Sequence, residues 1–190
     1  APHGDAKTPV EVSDQAGSPI VSLNPGRIEP GDPAFYTSRK PLVVTFLVNG
    51  EPLFLINNHF VSKGADRDLF GEFQPPLLDS ELIRIEQAQI VHDFVVQILE
   101  IDPEARVIVL GDLNDFQFSA PIDLLEGDIL QNLVETLPVE ERYSYIYDGN
   151  SQTLDQILIS EGLLPNLLTM DILHINSEFE YNSRFSDHDP

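Results

Sequence analysis

Residues 107–116 read VIVLGDLNDF. Val107, Ile108, Val109 and Leu110 form an unbroken apolar run. Such a run fits a strand covered on both faces, as in the sheets of α/β proteins, rather than a half-solvated one. It stops at Gly111 and is followed at once by Asp112, Asn114 and Asp115. In α/β sheets, ligands commonly bind just beyond the carboxyl ends of strands. The rival reading of the polar cluster is an Asx turn that caps the next element.

The flanking sequence fits a mixed layout. PLVVTFLVNGEPLFLINNHF predicts a hairpin, with runs at 42–48 and 53–58 joined by Asn49-Gly50. Residues 62–79 are rich in Gly, Asp and Pro and predict a long loop. It ends at DSEL, where Asp79 or Ser80 is expected to cap a helix. From Ser80 to about Glu100 the apolar spacing is helical, through Ala88, Val91, Phe94, Val95 and Ile98, until Asp102-Pro103 breaks it. Residues 121–137 predict short helical pieces. YSYIYDGNSQTLDQILIS predicts a second hairpin with an Asp-Gly turn, and MDILHI one more strand. Residues 1–34, dense in Pro and Gly, predict an irregular lead-in with at most a short strand near residues 20–23; residues 35–190 are expected to form the domain proper. Hairpins plus a helix between strands indicate an α/β (α+β) fold.

A chain of 190 residues with 42% hydrophobic content can bury one substantial core. No run of 18 apolar residues is present to span a membrane, and no basic-then-apolar leader opens the chain. Its start, APHGDAKTPV, reads like the middle of a longer protein. Cysteine is absent, which excludes disulfides, thiolate catalysis and zinc-thiolate sites. Acidic residues outnumber basic ones 32 to 10, for a net charge of −22. A surface this acidic repels polyanions on average, so phosphate chemistry here needs a divalent cation or a few placed cationic side chains. The charge also fits a soluble protein in a salty or calcium-rich extracellular setting.

Several side chains could carry chemistry. If the chain stays extended, Asp112 and Asn114 point the same way. Together they offer hard oxygen ligands and an amide donor, which suit Mg²⁺ or Mn²⁺ beside a phosphate. The spacing does not match an EF-hand, because Phe116 stands where an oxygen donor is needed. His59 ends the strand LFLINNHF, where an imidazole could bind or protonate a phosphate oxygen; a lone His at a strand end is more often structural. In the closing SDHDP, Asp187 and His188 point to opposite faces if extended, so orienting His188 needs a distant carboxylate. Asp155 interrupts the β-like run LDQILIS, and a lone buried carboxylate is costly. An Asp155–His188 pair would satisfy it and raise the basicity of His188.

Taken in order, NNHF, VIVLGDLNDF, TLDQILIS and SDHDP resemble the endonuclease/exonuclease/phosphatase superfamily of metal-dependent phosphoesterases over residues 39–190. The stretches NNHFVSKGADRDLFGEFQPP and GDLNDFQFS look most like bacterial secreted nuclease-like members, a resemblance that implies an extracellular or bacterial cell-surface location. The resemblance implies a four-layer α/β/β/α sandwich, deoxyribonuclease-like. It implies that Asp112 positions or activates water and that Asn114 holds the scissile phosphate. His188, oriented by Asp155, would stabilise or protonate phosphate oxygens or serve as base. His59 would bind phosphate, Asp187 and Asp112 would contribute to a metal site, and Arg39 would lie near the substrate backbone. The implied cofactor is a divalent metal, Mg²⁺ foremost, with Mn²⁺ or Ca²⁺ as alternatives. The implied reaction is attack of water on a nucleic acid or other phosphodiester.

The metal-binding Glu of the early QE motif in that family has no counterpart here: Glu11 and Glu29 stand in Pro-rich surroundings. The chain is therefore expected to be the C-terminal part of such a domain, incomplete, with little hydrolysis and weak metal affinity alone. Exposed sheet edges and apolar faces would invite self-association. Rival functions are a phosphatase, a hydrolase of small or lipid phosphodiesters, and a non-catalytic or calcium-stabilised module of a large surface protein.

Overall fold

The computed structural model describes residues 1–67 and 71–190. Residues 68–70 of the expected 62–79 loop lie outside the described residues. The strands are β1 (Val12–Asp14), β2 (Pro19–Val21), β3 (Gly26–Arg27), β4 (Leu42–Val48), β5 (Glu51–His59), β6 (Arg106–Asp112), β7 (Leu130–Asn132), β8 (Tyr145–Tyr147), β9 (Asn150–Gln152) and β10 (Asp155–Ser160). The α-helices are α1 (Asp79–Ile101) and α2 (Ala120–Glu126). A six-stranded sheet has the order β3-β4-β5-β6-β10-β7. β5 and β6 run parallel, with α1 as the crossover, and β10 returns antiparallel beside β6.

The β4–β5 hairpin turns through Asn49 (φ 57°) and Gly50 (φ 87°). Two positive φ values match the strand twist of a type I′ turn, which is why Asn-Gly stands there. Alternation then sorts the side chains. Val43, Phe54, Ile56, Val107, Val109 and Leu158 are buried on one face, where they meet Ala88, Val91, Val95 and Ile98 of α1. Phe46 and Val48 lie exposed on the other, beside the half-buried Leu53, Leu55, Ile108, Leu110 and Ile157. Among the described residues one helix layer and one six-stranded sheet are formed, two of the four layers of a sandwich.

Four local expectations change. MDILHI forms no strand; Leu173 instead donates to the Pro190 carbonyl, and the segment runs in irregular chain. Neither Asp79 nor Ser80 caps α1: both lie inside it, and Asp66 from the preceding loop accepts from the Ser80 N–H at 2.8 Å and its hydroxyl at 2.7 Å. An acceptor supplied from 14 residues away leaves no local sequence signal. Residues 121–137 include strand β7 between their helical turns. Residues 1–34 contribute β1–β3 and the core side chains Val10, Val21 and Ile28.

Candidate functional site

Strand register assembles the site. His59 pairs with Asp112 across β5 and β6, and Asp112 pairs with Asp155 across β6 and β10. Three adjacent strands thus present His59, Asp112 and Asp155 in one row. Alternation puts them on the sheet face away from α1, in line with Leu55, Leu110 and Ile157. The C-terminal segment brings in the fourth side chain: His188 bridges Tyr145 of β8, and its Nδ1 lies 2.7 Å from Asp155 Oδ2. Asp112, Asp155 and His188 each offer a ligand atom within 4.8 Å of the others. His59 Nε2 lies 3.8 Å from Asp112 Oδ2.

Gly111 lets β6 deliver Asp112. Its φ is +129°, and a Cβ there would sit 2.1 Å from the Asn58 carbonyl oxygen on β5. That contact is backbone, so it cannot swing aside. Gly111→Ala is expected to lower unfolding free energy by ~2–3 kcal/mol from backbone strain and the clash together, read by urea denaturation. Unchanged stability would contradict this account of the strand end.

Past Asp112 the chain turns instead of staying extended. Leu113 is fully buried and Asn114 adopts φ +52°, so Asp112 and Asn114 are not the parallel pair that an extended segment gives. The Asx turn is present: Asp112 Oδ1 accepts from the Asn114 N–H at 2.9 Å. Asn114 is buried, and its Nδ2 donates to the Phe60 carbonyl at 3.0 Å, fixing the amide beside the end of β5. The turn and the site are one structure, because Oδ1 of Asp112 holds the turn while Oδ2 faces His59.

The electrostatics are those of two carboxylates sharing a half-buried place. Burial, then the charge of Asp155, pushes the Asp112 carboxyl above its ordinary value. The hydrogen bond to Asp155 raises His188 against the opposing effect of burial. A raised imidazole value means the folded state holds the proton more tightly. The Asp155–His188 attraction therefore stabilises the fold fully below the ordinary histidine range and is lost as pH rises through the raised value. Asp155→Asn is expected to bring the His188 titration midpoint down toward the ordinary range, followed by NMR of its Cε1–H. An unmoved midpoint would contradict the pairing.

Arg39 lies exposed three residues before β4, at the end of the sheet where His59 sits; among the described residues its guanidinium has no hydrogen-bond or ion-pair partner. Asp187 is exposed and stands outside the Asp112–Asp155–His188 group. Other side chains hold the site without having been picked out from the sequence. Ser144 donates its hydroxyl to Asp155 Oδ2 at 2.6 Å and accepts from the Asp155 N–H at 3.1 Å. Asp189 is buried and accepts from the backbone N–H of Asn176 and Ser177, which clamps the segment that carries His188. Burial alone would raise Asp189, but the Ser177 and Asn176 donors hold it below its ordinary value. Its place next to His188 in SDHDP was the available signal; nothing local marks Ser144.

Behind the β6 end lies a buried charge cluster. Arg84 of α1 is 1% exposed. It donates through Nε to Asp115 Oδ2 at 2.7 Å and through Nη1 to Ser80 Oγ at 2.6 Å, and its Nη2 lies 3.5 Å from Asp66. Lys63 pairs with the other oxygen of Asp115. The cluster ties the turn after Asp112 to α1 and to the loop after β5.

Residues 18–180 match the model of the endonuclease/exonuclease/phosphatase family. No curated protein sequence matches the chain. Among solved structures, truncated Caenorhabditis elegans TDP2 superposes with TM-score 0.60 at 15% identity, covering 95% of this chain and 64% of that one. D. rerio TDP2 complexed with single strand DNA product gives 0.51 at 21%, covering 83% and 61%. SmcL gives 0.53 at 20%, covering 80% and 57%. At these identities the likeness is one of fold. The chain spans less than two thirds of the length of these structures. On the family match over most of its length, the chain belongs to the endonuclease/exonuclease/phosphatase family.

Proposed function

We propose that this chain carries the Asp112–Asp155–His188 portion of a metal-dependent phosphodiester hydrolase site. The observation that supports it most is the convergence of three remote segments, with the 2.7 Å Asp155–His188 bond beside Asp112. The donor set fits a divalent cation. Two carboxylates suit Mg²⁺ or Mn²⁺, and the burial and the Asp155 charge that raise Asp112 are what a cation would offset. Asp112 and Asp155 would hold it, which leaves Nε2 of His188 for the phosphate. Bound there, the metal would neutralise charge on the phosphate in the transition state.

The chain's own residues divide the remaining work. Asp112, with its raised carboxyl, orients the attacking water and takes its proton. Asn114 spends one amide hydrogen on Phe60, which leaves the second for a phosphate oxygen. Asp155 fixes the Nδ1–H of His188, so Nε2 is the nitrogen that meets the substrate, and the raised imidazole favours a proton donor there. His59 and Arg39 add cationic or hydrogen-bonding contacts to phosphate from the same edge of the sheet. The balance of 32 acidic to 10 basic residues favours a small or short single-stranded phosphodiester over long duplex DNA.

The test is hydrolysis of DNA and of bis-nitrophenyl phosphate by a full-length protein that contains these residues. Turnover is expected with Mg²⁺ or Mn²⁺ and background rates with EDTA; no metal-dependent turnover on either substrate would overturn the proposal. The 190 residues alone are expected to turn over little, and robust Mg²⁺-dependent plasmid cleavage by them would contradict that part.

A further inference from the structure

Tyr145 and Tyr147 stand two apart on β8, so their rings share one face of the strand. Their centroids are 6.4 Å apart and the planes differ by 12°. The backbone bridge between Tyr145 and His188 brings those two rings to 4.6 Å at 33°. The result is a row of three rings that starts beside Asp155 and Asp112 and runs outward to Tyr147, which is 57% exposed at the mouth of the Asp148-Gly149 turn. Large exposed aromatic side chains lose hydrophobic stabilisation by standing in water. Here one does so in register with a site side chain, on a hairpin held to the C-terminal segment by the Asp189 N–H bond to the Ser144 carbonyl.

We propose that the Tyr145–Tyr147 row is a stacking subsite for a nucleobase of a single-stranded substrate, next to the phosphate held at Asp112 and His188. The inference rests on the phosphodiesterase reading for the position of that phosphate. The row offers a contact that does not depend on charge. With a net charge of −22, the chain cannot hold a polyanion by general electrostatic attraction. Base–aromatic stacking carries no such penalty, tolerates any sequence, and contributes about 1–3 kcal/mol per base. The outward ring of Tyr147 is open to receive a base, while Tyr145, half-buried against His188, sets the plane of the row. A duplex keeps its bases stacked inside and would present none to the row, so the substrate implied is unpaired.

The experiment is binding of the 190-residue chain, in Mg²⁺ buffer, to labelled oligothymidylate and to an abasic-spacer strand of equal length, read by fluorescence anisotropy. Oligothymidylate is expected to bind about tenfold or more tightly than the abasic strand, the worth of one stacked base. Tyr147→Leu is expected to abolish that preference without changing abasic binding, and Tyr147→Phe to keep it. Because Tyr147 is exposed, both variants are expected to fold, with unaltered thermal unfolding as the check. Equal binding of the two strands, no binding of either, or a preference that survives Tyr147→Leu would overturn the stacking subsite. None of these outcomes bears on metal-dependent hydrolysis, so the two proposals fail separately.

Discussion

Replacing Arg84 with Leu is expected to destabilise the protein by ~3–5 kcal/mol, the largest loss of stability from any single side chain considered. Arg84 is a cation with 1% exposure, and its partners Ser80 and Asp115 are likewise removed from water. Removing it leaves the Asp115 carboxylate, 3% exposed, with only Lys63 as cationic partner, and leaves Ser80 Oγ without its Nη1 donor. The cost lies less in the lost attraction than in the charge left behind, since breaking one side of a buried pair strands the other in a medium that solvates it poorly. For a domain of this size that loss corresponds to a fall in Tm of roughly 6–20 °C. Thermal unfolding of Arg84→Leu beside Arg84→Leu/Asp115→Leu separates the two contributions. The double variant is expected to regain part of the loss, because the stranded carboxylate is gone. A single variant within about 1 kcal/mol of wild type would show that the cluster is not the brace described.

In a full-length protein that contains these residues, Asp112→Ala and His188→Ala are each expected to lower metal-dependent phosphodiester turnover by about 10²–10⁴-fold. Asp112 is asked to orient water and take its proton, and its raised carboxyl reflects a place that only a cation or a proton makes comfortable. His188 is asked to present Nε2 to the phosphate while Asp155 holds Nδ1. The two side chains act on one phosphate, so the double variant is expected to lose little more than the worse single one. Ser144→Ala, which removes a donor to Asp155 but no group that meets substrate, is expected to cost far less. Turnover that survives either Asp112→Ala or His188→Ala within about threefold would contradict the assigned roles.

What the sequence disclosed, and what it hid, follows from how local each cause is. VIVL forms a strand near the middle of the sheet, with Val107 and Val109 buried against α1 and Ile108 and Leu110 half-buried on the face that no helix layer covers, and Asn49-Gly50 makes its turn because the φ values it needs are positive. Those causes sit within a few residues. Asp155 stood out because a carboxylate in an apolar run needs a partner, and His188 is that partner at 2.7 Å. The α1 cap was misplaced because its acceptor, Asp66, is remote in sequence. MDILHI has the composition of a strand but finds no sheet edge, and composition cannot report whether a partner exists. The extended reading of Asp112 and Asn114 failed on a single residue, because left-handed Asn114 turns the chain. Nothing in the sequence singles out Arg84 or Lys63. Their pairing depends on Asp115 meeting them from a different element, which no local pattern encodes.

The central claim is that Asp112 and Asp155, beside His188, make one divalent-cation site on a surface that offers many other carboxylates. Substoichiometric Mn²⁺ added to the ¹⁵N-labelled chain tests it directly, because paramagnetic broadening maps where the ion sits. The account predicts early, selective loss of amide signals around residues 59, 111–115, 144–145, 154–156 and 187–189, and its disappearance in Asp112→Asn. Broadening spread evenly over the acidic surface, or centred away from these segments, would contradict it.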